Sequence, residues 1–519
     1  DGTLWLVNVN GTQSVTHVDV KDSNASGGNA ITAKGDVTYS NNTNWNYGNY
    51  YWVGTNTSWN TSANWSSSPG GAGGLGVPGS SDWAIFDSNS SQNCTLDANA
   101  SVYYLGVSGY AQTIDTTANY SLTVANNLQL QSGAVTFAAS GDVTISGDFI
   151  QSAGTFNSDR LKTFSAAGMT LSGGTFNRYT GIGTSGDPYL VYDVYGLQGM
   201  KIYLDDSTVV FKLANDITAT GTSSWNAGSG FVPVGDSTNK FTGTLDGNSK
   251  TITGLYIDRS STNYVGLFGY TSGATIQNLT LASADITGQD YVGGLTGYNY
   301  ATSGSNSSIT GCSVGGTVDG RSYTAGLIGY NYAYQGGTIT LSNDSVSATV
   351  TGTSSYTGGL IGYNYVRETG SLIDMDNCSV TGTVTGSSSY VGGLIARAYV
   401  YLNDATIDID NCYTTGNVTN TNSSYTGGLI GYAYVNSNDT SITIDTCYTT
   451  GDVTGAASYV GGLIGYVYVN QNDANLTIGT NSYSTGAVSG SSYVGGLVGR
   501  NVAQYTNASI NISDSYHTT

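Results

Sequence analysis

Three residue types recur in this chain at spacings that could do chemistry: paired aspartates, columns of tyrosine, and cysteines at one repeat position. The aspartates stand two apart in Ile373-Asp374-Met375-Asp376 and Ile407-Asp408-Ile409-Asp410, and another follows in Ile444-Asp445. Along a strand this alternation turns the apolar residues inward and sends Asp374, Asp376, Asp408, Asp410 and Asp445 outward. Carboxylates so arranged could ligate Ca²⁺, stay solvated, or do acid–base work on a glycosidic bond. A catalytic pair should interrupt a repeat, and these pairs follow it. Calcium is therefore the one cofactor the sequence suggests, and no catalytic residue is assigned. His17 and His517 are the only histidines, one near each end, which argues against a histidine triad or a zinc cluster.

The tyrosines belong to a longer pattern. Tyr459-Val460-Gly461-Gly462-Leu463-Ile464-Gly465-Tyr466-Val467-Tyr468 recurs through the C-terminal half, and its opening tyrosine reappears as Tyr264, Tyr291, Tyr323, Tyr356, Tyr390, Tyr425, Tyr459 and Tyr493. By subtraction the separations are 27, 32, 33, 34, 35, 34 and 34 residues. A period in this range marks a solenoid, in which each coil buries its apolar face only by stacking on its neighbours. The predicted fold is all-β: an elongated parallel β-helix or β-solenoid.

Strand parity then sorts the repeat. With Leu429 inward, Gly431, Ala433 and Val435 fall inside, and Ile430, Tyr432 and Tyr434 fall outside. The Tyr432 position holds Tyr298, Tyr330, Tyr363, Arg397, Tyr466 and Arg500 in other coils, and arginine does not face a solenoid core. The next outward position holds Tyr300, Tyr332, Tyr365, Tyr399, Tyr434, Tyr468 and finally Val502. Two tyrosine ladders are thus expected along one outer face. They would either stabilise neighbouring coils or form a surface that packs against another subunit or binds glycans.

Cys378, Cys412 and Cys447 lie 34 and 35 residues apart at one repeat position, and Cys94 and Cys312 complete the set. Stacked coils would set the three about 4.8 Å apart. Parallel side chains rarely present the dihedral a disulfide needs, so buried free thiols are expected.

Composition supports strands. With 74 Gly, 41 Tyr, 4 Pro and abundant Val, Ile and Thr, the chain favours strands broken by glycine turns. Only 9% of residues are charged, so surface polarity must come from Ser, Thr, Asn and Gly. A net charge of -20, with 14 basic against 34 acidic residues, argues against nucleic-acid binding, because phosphate neutralisation needs clustered Lys and Arg. No apolar run is long enough to span a bilayer and no signal peptide stands at the start, so a mature or excised portion of a larger precursor is expected.

Four regions follow. Residues 1–49 read as the end of a β-helical module, with strands such as Leu4–Val9 and Val15–Val20. Residues 50–185 read as a solenoid module with a tryptophan-rich start, although a sandwich would also fit. Residues 186–262 form leader coils, and 263–519 form repeats of about 34 residues that stop in mid-coil.

The leader Phe241-Thr242-Gly243-Thr244-Leu245-Asp246-Gly247, followed by repeats such as Asn411-Cys412-Tyr413-Thr414-Thr415-Gly416 and Tyr425-Thr426-Gly427-Gly428-Leu429-Ile430-Gly431, resembles the GLUG-motif repeats of large bacterial surface proteins, including filamentous-haemagglutinin-like adhesins and some surface peptidases. The resemblance covers about 186–519 and implies an extracellular β-solenoid without fixing one activity. Gly393-Leu394-Ile395-Ala396 replaces the last glycine of the motif, so altered backbone geometry is expected there. The functional expectation is a non-enzymatic extracellular or cell-surface protein. It would self-associate by head-to-tail stacking into filaments, or into lateral bundles. A glycan-binding adhesin stalk is the alternative, and a polysaccharide-degrading enzyme a distant one.

Overall fold

The computed structural model describes residues 48–518 apart from 117–119, 134–135, 388, 403, 423–424 and 457, together with seven short strands between Trp5 and Asn46. The expected strand residues Leu4, Val7–Val9 and Val18, together with His17, lie outside the described residues. Contacts divide the chain into two units, residues 1–178 with 225–227, and 179–224 with 228–519.

The first unit is a stack of short parallel strands. One sheet runs through Asn49–Trp52, Trp83–Asp87, Tyr104–Ser108, Leu128–Ser132, Asp148–Gln151 and Gly168–Leu171, and two further sheets carry the other sides of each coil. This is a parallel β-helix, not a sandwich. Phe137 pairs with Phe156, and Phe156 with Phe176, in successive coils, so equivalent side chains lie on one another. The tryptophan-rich start departs from the pattern, because Trp52 pairs antiparallel with Trp65. Buried Asn64 holds that loop: its Oδ1 accepts from the Thr55 amide at 2.6 Å, and its Nδ2 donates to the Ser58 carbonyl at 2.7 Å.

In the second unit, from Tyr264 onward, each coil repeats the same strands. Tyr425–Gly427 leads through a bend to Ile430–Val435, then come Ser441–Asp445, Tyr448–Thr449 and Val453–Gly455. Every strand pairs in parallel with its counterpart one coil on, as in Ile430↔Ile464, Ile442↔Leu476 and Val453↔Val488. Leu429, Ala433, Val435, Ile442, Ile444, Cys447 and Val453 are fully buried, so each coil carries a complete cross-section of core. Each such Leu, Ile or Val contributes about 1.5–3 kcal/mol by leaving water. Helix is confined to short pieces, chiefly Val194–Gly199, and among the described residues no helix is long and apolar enough to cross a membrane.

The double glycine of the repeat is explained by backbone approach. A Cβ on Gly428 would collide with the Gly462 carbonyl, and one on Gly393 with the Gly428 carbonyl, so the same glycine lies on itself from coil to coil. At the bend that follows, the amides of Leu429 and Ile430 both donate to the Leu463 carbonyl, at 2.8 and 2.9 Å. Two successive side chains therefore turn inward. Ile430, expected outside, is fully buried, and strict alternation resumes only after it. The expected distortion at Ala396 is also absent: Ile395–Tyr401 keeps the register Ile361↔Ile395 and Tyr363↔Arg397, with Ala396 fully buried.

Two polar columns run inside this unit. Asn299 Nδ2 donates to Asn331 Oδ1 at 2.8 Å, and Asn331 Nδ2 to Asn364 Oδ1 at 3.1 Å, while Thr271 and Ser307 hydroxyls satisfy Asn299. A one-residue slip would break this chain of buried amides, so it pins register. The cysteine position forms the second column: the amides of Cys378 and Cys412 point at the sulfur one coil on, each at 3.4 Å, and the Cys447 amide donates to Ser482 Oγ at 3.2 Å. All five cysteines are buried free thiols, and burial pushes the Cys94 and Cys312 thiols up. In native protein no thiol is expected to react with an aromatic disulfide reagent, whereas unfolding should release five. A fast native reaction, or a fall in Tm on adding reductant, would contradict this arrangement.

Candidate functional site: a tyrosine sheet

The eight-stranded sheet that includes Ile328–Tyr334, Ile361–Arg367, Ile395–Tyr401, Ile430–Val435 and Ile464–Val469 carries both expected ladders. In the outer one, Tyr300, Tyr332, Tyr365, Tyr399, Tyr434 and Tyr468 follow one another at centroid distances of 4.8–5.5 Å. In the inner one, Tyr298 lies 4.8 Å from Tyr330, Tyr330 4.9 Å from Tyr363, and Tyr432 5.2 Å from Tyr466. Parallel pairing in register makes this stacking unavoidable, because equivalent residues sit one strand spacing apart.

A third column was not assigned from parity. The opening tyrosines Tyr264, Tyr291, Tyr323, Tyr356, Tyr390, Tyr425, Tyr459 and Tyr493 form one uninterrupted stack with centroids 4.7–5.2 Å apart and planes within 3–19° of parallel. These rings also pack on the inner ladder, Tyr356 on Tyr363 at 5.1 Å and Tyr425 on Tyr432 at 5.2 Å. The expected exposed strip is therefore partly covered: Tyr363 is 7% exposed and Tyr432 8%. The repeat itself held the signal, since the opening tyrosine defines the period, but the bend before Ile430 hid its face. A fourth stack, Tyr413, Tyr448, Tyr483 and Tyr516 at 4.9–5.2 Å, lies on another sheet.

The opening column stands on strained backbone. Tyr264, Tyr291, Tyr323, Tyr356, Tyr459 and Tyr493 have φ between 51° and 66°, the left-handed region. That conformation costs a non-glycine residue about 1–2 kcal/mol, and an aromatic pair returns about 0.5–1.5 kcal/mol. The two nearly cancel, so the column contributes geometry more than net stability.

Arginine interrupts the inner ladder twice. Arg397 lies in register between Tyr363 and Tyr432, with its guanidinium carbon 5.2 and 5.3 Å from their rings and 4.8 Å from Tyr399. Its Nη1 donates to Tyr356 Oη at 3.3 Å, and among the described residues its buried Nε has no hydrogen-bond partner. Arg500 repeats the arrangement against Tyr459, Tyr466 and Tyr493.

Ring faces are thus occupied by other rings or by guanidinium. An outside partner meets ring edges and hydroxyls. Burial pushes the phenols of Tyr298, Tyr330 and Tyr432 far above their usual range, and those of Tyr323 and Tyr365 up to about 12, so they stay protonated donors. In the outer column, Asn436 Nδ2 donates to Tyr399 Oη at 3.1 Å and Asn470 Nδ2 to Tyr434 Oη at 3.3 Å.

The aspartates occupy a different sheet. Asp374 pairs with Asp408, and Asp376 with Asp410 and then Asp445, in successive coils, while Ile373, Met375, Ile407, Ile409 and Ile444 are fully buried. Burial and the neighbouring carboxylates raise Asp374 and Asp410. Among the described residues no group of three or more His, Cys, Asp or Glu side chains could hold a metal ion. Asp344 is a separate case. It occupies the cysteine column, fully buried, accepts from the Cys312 amide at 2.7 Å, and leaves Oδ2 without a hydrogen-bond partner among the described residues. Burial raises its carboxyl well above the usual range.

Comparison with known proteins bears on the repeats. Residues 353–385 match the GLUG motif. Halomucin of Haloquadratum walsbyi is 43% identical over 130 residues, 24% of this chain and 1% of that protein. A protein of Evansella cellulosilytica, provisionally named a Gly-rich membrane protein, is 38% identical over 124 residues, 23% of this chain and 14% of its own length. The matches thus span a small part of these relatives. A crystal structure from Bacteroides ovatus, provisionally named an immunoglobulin A1 protease, aligns with 61% of this chain and 86% of its own at 21% identity and a TM-score of 0.42.

Two outcomes test the physics of this site. Tyr323→Ala should destabilise the protein about 1 kcal/mol more than Tyr323→Gly, reversing the usual strand order, because glycine alone adopts the left-handed backbone freely. Equal denaturation midpoints would remove the strain argument. The raised carboxyls Asp344, Asp374 and Asp410 bind protons more tightly in the folded state, so their contribution is full below the ordinary carboxylate range and declines as pH rises through their raised values. Asp344→Asn should therefore raise Tm at pH 7, with the gain vanishing in acid; a lower Tm at pH 7 would contradict this.

Proposed function

We propose that the chain is the repeat body of an extracellular, cell-surface structural protein that builds a fibre or bundle by packing against other copies along its tyrosine sheet. The observation that carries this reading is a continuous three-column lattice of tyrosine with arginine inserted, repeated coil after coil. Such a lattice offers a long surface of ring edges and hydroxyl donors, and aromatic residues and arginine are enriched in protein interfaces. Similarity to a provisionally named membrane protein supports a surface location.

Glycan adhesion is the weaker reading. Sugar rings dock on flat aromatic faces, and here those faces are covered by neighbouring tyrosines. In this reading the carboxylate pairs, which recur with the coils, are structural and not catalytic. Calcium enters only as a counter-ion to the aspartate set, so replacing chelator with calcium is expected to leave Tm unchanged by differential scanning calorimetry.

The triple substitution Tyr365→Ser, Tyr399→Ser and Tyr434→Ser tests the assembly surface. These tyrosines retain some exposure, so the variant should keep its circular dichroism spectrum. By electron microscopy and light scattering, wild type should form fibres or bundles and the variant should remain single particles. Unchanged assembly of a folded variant would remove the tyrosine sheet from this role.

A further inference from the structure

Arginine in the repeat region gathers on one sheet, while the corners just past its strands carry Glu368, Asp404, Asp439 and Asp473. Residues 263–519 contain four basic side chains, Arg321, Arg367, Arg397 and Arg500. The last three stand on the tyrosine sheet, whose eight strands contain no aspartate or glutamate. Arg367 lies over the rings of Tyr334 and Tyr401, at 5.6 and 5.9 Å, with one loose pairing to Glu368 at 3.8 Å. Among the described residues neither Arg397 nor Arg500 has a carboxylate partner.

The aspartate ladder is its complement. The strands Leu372–Asp376, Thr406–Asp410 and Ser441–Asp445 carry five outward carboxylates and no basic residue. None of the five is in an ion pair among the described residues, although Asn411 Nδ2 donates to Asp376 at 2.9 Å and Thr480 Oγ1 to Asp445 at 3.2 Å. The two sets also match in level. Arg367 is followed by Asp374 and Asp376 in the next strand, and Arg397 by Asp408 and Asp410. Both faces repeat once per coil, about every 4.8 Å. Two parallel copies placed side by side at the same level therefore bring Arg367 and a row of phenol donors against a row of acceptors, with no mismatch of period.

We propose that the aspartate ladder Asp374, Asp376, Asp408, Asp410 and Asp445 of one copy docks on the tyrosine–arginine sheet of a second copy, coil against coil, with the exposed Arg367 facing the carboxylates. This rests on lateral assembly through the tyrosine sheet and names what that sheet receives. The two faces are different surfaces of one chain, so the contact is heterologous: each copy keeps one free face of either kind, and association continues as a layer or bundle. Like charges stacked within one ladder repel, and the partner's opposite charges relieve that repulsion.

The test uses the full chain in two variants, in the presence of chelator so that no divalent ion bridges the carboxylates. Arg367→Glu spoils the receiving face alone, and Asp374→Asn with Asp408→Asn and Asp410→Asn spoils the docking face alone. By analytical ultracentrifugation, each folded variant should associate at least about tenfold more weakly than wild type. Mixed in equal amounts, the two should form a dimer and nothing larger, because one intact face of each kind remains. Either variant assembling like wild type would overturn this docking and leave the tyrosine-sheet reading standing. A wild type that stays a single particle at every concentration would end the lateral reading itself. A wild type that is single yet retained on immobilised polygalacturonate would assign the sheet to an acidic polysaccharide instead.

Discussion

Parallel pairing at one fixed register is the constraint from which the repeat region follows. Backbone hydrogen bonds hold successive coils one strand spacing apart, so a residue at a given position lies on its own counterpart above and below. That is harmless for Leu429 or Ile444, useful for asparagine and tyrosine, and costly for charge. Asn299, Asn331 and Asn364 convert the stacking into a chain of buried amides, and the tyrosines convert it into columns of rings. The repeated glycine pair makes the spacing attainable where two backbones approach too closely for a Cβ.

The same constraint locates strain and charge. Opening tyrosines combine a left-handed backbone with stacking on the next ring of the column, and the two contributions are of similar size. A cation tolerates the lattice when inserted singly, as Arg397 is, because π faces lie above and below it. Carboxylates have no such shelter: burial first and the stacked neighbouring carboxylates second raise Asp374 and Asp410.

Much of this was legible in the residues. The period of the opening tyrosine specifies stacked coils, alternation in Ile407-Asp408-Ile409-Asp410 specifies which face each residue takes, and the columns through Tyr332, Tyr365 and Tyr399 follow from aligning coils. What escaped depends on local bending. Parity assumes unbroken alternation, and the shared Leu463 carbonyl at Leu429 and Ile430 breaks it, burying Ile430 and hiding the third column. Tyr363 and Tyr432 are less exposed than parity implies for the same reason, since the tyrosines that cover them come from before the bend. Ala396 was expected to disturb the backbone, yet its strand keeps its register on both sides. Asp344 in a column of cysteines could be aligned but not understood without knowing that the position is buried.

Hydrogen exchange read peptide by peptide, in dilute and in concentrated protein, tests the central claim most directly. If the tyrosine sheet is the surface through which copies associate, protection gained on concentration will fall on the strands Ile361–Arg367 and Ile395–Tyr401, and on the aspartate strands Leu372–Asp376 and Thr406–Asp410. Protection gained only elsewhere, or none in assembled protein, would contradict it.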